Sequence, residues 1–250
     1  MLKKRIIPTL LCKQVGLVKG EKFDSWRNLG SVMPSIKLYS NRDVDGLILL
    51  NIDELSRDLD PNYNLLKEFC ENCFVPFYYG GGIKNIDQIF NLLKVGIDKI
   101  VINSVLYSDL NFLKKIITTF GRQFVVVSID YKKIEEKYIC FSNNGKKNEN
   151  IEVSKWIEQI EKIGVSEIIL TSINHDGMMS GYDYEFMELF SKTINSNLII
   201  SGGAGKPEDM FKAFQYENVD AVAAASVFHF KEITPRDCKN YLKANNINVR

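Results

Sequence analysis

Eight short runs of branched and apolar residues recur along this chain, each followed by a stretch with helical periodicity. This alternation is the feature that most narrows what the chain can fold into. The runs lie at 5–11, 46–52, 74–79, 98–103, 124–130, 166–172, 197–201 and 219–224. The helical patterns fall near 31–43, 62–72, 85–95, 108–119, 151–163, 184–195, 207–217 and 235–245. Strands alternating with helices of this size imply parallel β–α–β units, and eight such units predict an α/β fold, a (β/α)8 TIM barrel. The 250-residue length suits that architecture. The segment 131–150, rich in Lys, Glu and Asn, reads as a small hairpin after the fifth strand. No linker composition interrupts the series, so residues 1–250 are expected to form a single domain.

The chain also repeats itself. Gly80-Gly81-Gly82 is followed by Asn103-Ser104, and Gly202-Gly203 is followed by Ala225-Ser226, at an offset of 122. Ile48-Leu49-Leu50-Asn51-Ile52 aligns with Ile169-Leu170-Thr171-Ser172-Ile173 at an offset of 121. An internal period marks a repeated structural unit, so the barrel is expected to consist of two similar halves.

The net charge of +1 gives no long-range attraction for nucleic acid or an anionic membrane. The start, Met1 to Pro8, has too short an apolar run for a signal sequence, and nothing approaches the roughly 20 apolar residues that span a bilayer. Five scattered cysteines suit a reducing cytoplasm. Cys70 and Cys73 form a lone C-x-x-C that lacks the second pair a metal site would need. No residue cluster calls for a metal or a cofactor.

Barrel active sites lie where the strands end, among the β–α loops. Glycines there let backbone N–H groups approach a phosphate, so the two matched corners suggest a substrate phosphorylated at both ends. Asp130 closes the apolar run Val125 to Ile129 and is a candidate general acid or base, with a helix cap or loop salt bridge as the bland alternative. Its mate in the first half falls at Leu11, which transfers no proton. Asp176 is a second acid, after strand six. At the strand starts, Arg5 shares parity with Leu11, Lys99 with Asn103, and Glu167 with Thr171, so these charges should face the barrel axis. Six residues at ~3.3 Å each put Arg5 about 20 Å below Leu11. Such a ring is either a structural plug or a gate across the barrel.

These residues resemble the HisF family, the cyclase subunits of imidazole glycerol phosphate synthase. The matching stretches include Lys4 to Pro8, Leu17 to Gly20, Gly80 to Ile83, Asp98 to Ser104, Val125 to Asp130, Ser201 to Pro207 and Ala224 to Phe230. The resemblance implies an enzyme that takes ammonia from a docked HisH-like glutaminase and uses it to cleave and cyclise a bis-phosphorylated ribonucleotide. It implies that Asp130 is one of two acid–base carboxylates. Lys19, Gly82, Asn103 and Ser104 would hold one phosphate, and Asp176, Gly177, Gly203, Ala225 and Ser226 would hold or border the other. Arg5, Lys99 and Glu167 match the family's ammonia gate, and Asp98 matches a partner-facing acid.

Several positions depart from the family pattern, among them Met178-Met179 at a usually polar loop position and His175 where a basic residue is common. Leu11 stands where the other catalytic aspartate is expected, Asn51 replaces an aspartate, and Gly46 replaces a fourth gate residue, a glutamate. A branch of HisF-like proteins shares the leucine and works beside a glutaminase and an ATP-dependent amidotransferase in surface-polysaccharide synthesis. The leading expectation is therefore a subunit that supplies ammonia for amidination of an acetamido sugar. A histidine-pathway cyclase with an altered acid–base set, and a non-catalytic ammonia conduit, are the alternatives.

Overall fold

The computed structural model describes residues 3–54 and 59–250; Met1 and Leu2, the first residues of the N-terminal run, lie outside them. The strands are β1 (Arg5–Lys13), β2 (Gly16–Glu21), β3 (Asp24–Ser31), β4 (Leu47–Asn51), β5 (Phe77–Gly80), β6 (Lys99–Ile102), β7 (Val125–Ile134), β8 (Lys137–Ser142), β9 (Lys147–Glu152), β10 (Glu167–Ser172), β11 (Asn197–Ser201) and β12 (Val219–Ala224). The helices are α1 (Val32–Ser40), α2 (Tyr63–Glu71), α3 (Ile86–Lys94), α4 (Leu110–Phe120), α5 (Val153–Ile163), α6 (Tyr184–Phe190), α7 (Pro207–Ala213), α8 (Ser226–Phe230) and α9 (Pro235–Ala244).

Eight strands pair in parallel in the order β1–β4–β5–β6–β7–β10–β11–β12, and β12 pairs back onto β1 through Arg5 opposite Ala221. The sheet is thus closed, the expected (β/α)8 barrel. The outer helices form because their apolar residues recur at helical spacing. In α5 the buried side chains are Val153, Trp156, Ile157 and Ile160, and the helix stops at Gly164, whose φ of 101° suits glycine. α3 starts at a capping box, in which Asn85 and Gln88 satisfy each other's backbone N–H groups.

The core has two compartments. One fills the space between strands and helices, and includes Ile6, Leu10, Leu49, Ile89, Ile116 and Trp156. The other lies inside the barrel and is made by alternate strand residues: Ile7, Ile48, Tyr78, Val101, Val126, Ile169 and Ile199, with Ala221 and Ala223. Period-two alternation thus divides each strand between an outward and an inward face. At the strand starts, Lys239 of α9 is buried and bonds Asp45 Oδ1 at 2.8 Å and the Arg250 carbonyl at 3.0 Å. The other oxygen of Asp45 accepts the Ile6 N–H at 2.8 Å, which pins the last helix and the C-terminus to the first strand.

The half-barrel repeat is visible in backbone angles. Gly81 and Gly203 have φ of +113° and +115°, and a Cβ on either would lie 2.1 Å from a carbonyl oxygen, of Asn51 or Gly181. Asn103 (φ −139°, ψ −89°) and Ala225 (φ −136°, ψ −71°) share a second unusual conformation at the same offset. The first strand of each half also continues into an antiparallel ribbon. β1 pairs with β2 and β2 with β3, while β7 pairs with β8 and β8 with β9. The second ribbon is the hairpin expected at 131–150. The first had no counterpart in the sequence reading: β3 is largely exposed and lacks the apolar alternation that signals a strand.

Candidate functional site

One cavity of about 620 Å³ occupies the mouth at the strand ends. Its wall includes Leu11, Lys19, Gly82, Asn103, Ser104, Asp130, Asp176, Gly177, Gly203, Ala225 and Ser226. The mouth residues expected from sequence therefore share a single space. The corner at Gly81-Gly82 with Asn103-Ser104 follows the third and fourth barrel strands. The corner at Gly202-Gly203 with Ala225-Ser226 follows the seventh and eighth, so the two lie across the mouth from each other. Leu11 and Asp130, on the first and fifth strands, face each other along the other diagonal.

Asp130 is set by β7, opposite Thr171 of β10 and Phe141 of β8. Asn103 Nδ2 donates to its Oδ2 at 2.8 Å. Burial, reinforced by the charge of Asp176, lifts the Asp130 carboxyl to about 7 against the pull of Asn103. Burial also raises Asp176 to about 6, although Lys19 opposes it. Lys19 is 4% exposed, and burial lowers its ammonium to about 8 despite Asp176. Its Nζ donates to the Thr9 carbonyl at 3.4 Å. Near neutral pH the mouth thus holds two carboxyls and an amine that all exchange protons readily. Asn103 Oδ1 and Thr9 Oγ1 are buried without a hydrogen-bond partner among the described residues.

The two ribbons roof this space. Phe23 and Trp26 of the first and Asn143, Asn144, Lys147 and Glu149 of the second line the cavity. Asn144 Nδ2 donates to the Ile52 carbonyl at 2.9 Å, and the Asn143 N–H donates to Ser104 Oγ at 3.1 Å. The Lys22 N–H donates to the Asp176 carbonyl at 2.8 Å, tying the first ribbon to the loop after β10. Sequence reasoning missed these lining residues because the second ribbon read only as a polar hairpin and the first was not read as an element at all. The available signal was the aromatic pair Phe23 and Trp26 within a polar run directly after Lys19-Gly20.

At the other end of the barrel, Arg5, Lys99 and Glu167 converge as their parity predicted. Glu167 accepts from Arg5 Nη2 at 2.6 Å and from Lys99 Nζ at 2.6 Å. Burial works against its charge, but the two cations outweigh it and hold the carboxyl below the usual glutamate range. Tyr78, absent from the sequence reading, joins them: its hydroxyl accepts from Arg5 Nη1 at 3.3 Å. Asp98 is exposed at the same end and accepts the Phe77 N–H at 2.8 Å. Cys70 and Cys73 are half-buried free thiols, both pushed up by burial, Cys70 to about 12. Among the described residues no helix is long and apolar enough to cross a membrane.

Comparison with known proteins agrees with this geometry. The family model for histidine biosynthesis proteins matches residues 5–234. The chain is 39% identical over 251 residues to the imidazole glycerol phosphate synthase subunit HisF of Hydrogenobaculum sp., covering all of both chains. It is 38% identical over 250 residues to HisF of Natranaerobius thermophilus, again over the whole of each. Against HisF of a Thermotoga species it is 39% identical over all of this chain and 98% of that one. These relatives carry the cyclase-subunit name. They give the sugar-amidination expectation no support and favour the histidine-pathway alternative. From the closed barrel, the mouth residues and full-length identity of this order, the chain belongs to the HisF family of histidine biosynthesis proteins.

Proposed function

We propose that this chain is the synthase subunit of an imidazole glycerol phosphate synthase, acting on a bis-phosphorylated ribonucleotide with ammonia from a HisH-like glutaminase. The observation that carries the reading is the mouth itself: two matched glycine corners across one cavity, with Asp130 between them and lifted to about 7. Phosphates seated in the corners stretch the substrate across the barrel axis and bring its reacting centre over Asp130. Lys19, with Gly82, Asn103 and Ser104, serves one phosphate; Gly177, Gly203, Ala225 and Ser226 serve the other. A carboxyl that titrates near neutrality can both take and return a proton, which ring closure after ammonia attack requires. Asp176 keeps Lys19 charged and helps hold Asp130 partly protonated. Asp98 belongs to the partner-facing end.

Leu11 favours a second reading. It puts an aliphatic side chain across from Asp130 where a second proton-transfer group would help; in that reading the chain supplies ammonia to an ATP-dependent sugar amidotransferase, or conducts it without chemistry of its own. The test is turnover of the bis-phosphorylated ribonucleotide by the purified chain with ammonium salt. Cyclisation is expected, and Leu11→Asp, which adds the second carboxylate, should raise it at least tenfold. No turnover in either protein would reject the cyclase reading.

A further inference from the structure

The lower end of the barrel contains a compensation between two residues. Gly46, just before β4, contributes no side chain to the axis. A Cβ built there would lie 3.0 Å from Tyr78 Cε2, 3.2 Å from the Pro76 carbonyl oxygen and 3.7 Å from Ile7 Cγ2. The phenol of Tyr78 therefore occupies the volume that a side chain at 46 would take. It is 2% exposed, its hydroxyl accepts from Arg5 Nη1 at 3.3 Å, and Lys99 Nζ stands 5.3 Å from its ring centroid. Arg5 and Lys99 also grip Glu167, so Tyr78 touches both cations of the basal cluster. The ring starts on β5, passes beside Gly46 at the foot of β4 and ends with its hydroxyl on Arg5 of β1.

Its ring belongs to the apolar layer inside the barrel, with Ile7, Ile48, Val101, Val126, Ile169 and Ile199. Such a layer strongly disfavours an ion but admits a small neutral molecule. The charged cluster below and the apolar layer above thus suit the passage of neutral ammonia and resist ammonium. We propose that Tyr78 is the fourth member of this basal gate, and that its seat in the niche left by Gly46 sets whether ammonia passes up the axis. With the ring seated over Gly46, its hydroxyl stays on Arg5 Nη1 beside the charged cluster. Driven out of the niche, the ring turns toward the axis and blocks it. Tyr78 is a positioning residue that touches no substrate in the mouth, and the proposal rests on the ammonia-using reading above.

The experiment compares turnover driven by glutamine, in the complex with the glutaminase, with turnover driven by ammonium salt, which reaches the mouth from solution. Gly46→Val places a wedge in the niche. It should lower glutamine-driven turnover at least fivefold and leave ammonium-driven turnover within twofold. Adding Tyr78→Ala to Gly46→Val removes the displaced ring and should restore the ratio of the two rates to within twofold of the unaltered protein. A merely structural role would move both rates together. An unchanged ratio in Gly46→Val, or no rescue in the double variant, overturns the proposal. If Gly46→Val does not fold, Tyr78→Phe decides: it keeps the ring and removes its anchor to Arg5, so the ratio must shift at least twofold, and a constant ratio refutes the gate. Absence of ammonium-driven turnover in the unaltered barrel is a separate result, which rejects the ammonia-using reading and this proposal with it.

Discussion

Asp130 sits where its charged form is disfavoured, so Asp130→Asn should stabilise the protein at neutral and alkaline pH. The carboxyl is raised from 3.8 to about 7 by burial and by Asp176. Between those two pH values the unfolded chain has released the proton and the folded chain still holds it. The folded state binds more protons there, so stability falls as pH rises, by about 1.4 kcal/mol per pH unit. Carried across the whole window this amounts to ~4 kcal/mol, and above pH 7 the loss is complete. Water at the mouth and relaxation of the site offset part of it, so a gain of ~2 kcal/mol is expected for the asparagine variant at pH 8. In a chain of this length that raises Tm by ~4–8 °C. Asparagine keeps an acceptor for Asn103 Nδ2, which stands 2.8 Å from Asp130 Oδ2, so that donor is not orphaned. The assay is thermal and urea unfolding of both proteins at pH 4, 6 and 8. The gain should be near zero at pH 4, grow with pH, and level off above 7. A variant no more stable than the parent at pH 8, or a gain that ignores pH, would refute the reasoning. The same substitution should lower turnover about 10²–10⁴-fold, the combination expected where a group is kept for chemistry rather than stability.

Two further outcomes follow from other buried charges. Glu167→Gln leaves Arg5 and Lys99 facing each other without their shared carboxylate, and should cost ~3–5 kcal/mol in urea unfolding at pH 7. Because the folded carboxyl is held below its ordinary value, its stabilisation is present above the unfolded pKa and disappears as pH falls through the folded one. The cost should therefore shrink below about pH 4, and an equal cost at pH 3 and pH 7 would contradict the assignment. Lys19, lowered to about 8, loses its charge as pH rises through that value, so calorimetric binding of ribose 5-phosphate should weaken between pH 7 and 9. Lys19→Met should weaken it ~10–100-fold at pH 7 and flatten the pH dependence, which a purely structural lysine would not do.

The parts of the structure that could be read in advance are those governed by period and parity. Val125 to Ile129 had to be a buried strand, and the matched glycines at 81 and 203 had to make matched turns, because an ordinary side chain at either would overlap a carbonyl 2.1 Å away. Parity alone brought Arg5, Lys99 and Glu167 together from strands up to 162 residues apart. Packing across the barrel was not legible in the same way. Tyr78 looked like one more aromatic in a strand, and only the closed sheet puts its ring over Gly46 and its hydroxyl on Arg5. The first ribbon escaped notice because its outer strand is polar and exposed, although it brings Trp26 and Phe23 to the mouth. The same distinction applies to Leu11. Symmetry identifies it as the mate of Asp130, and the closed barrel puts the two on opposite sides of one cavity. Across that cavity Asp130 faces a side chain that can neither share its proton nor add to its negative charge. Its raised carboxyl therefore comes from burial and from Asp176, which makes Asp176 the acid that tunes the site and Leu11 the position at which proton transfer can be restored.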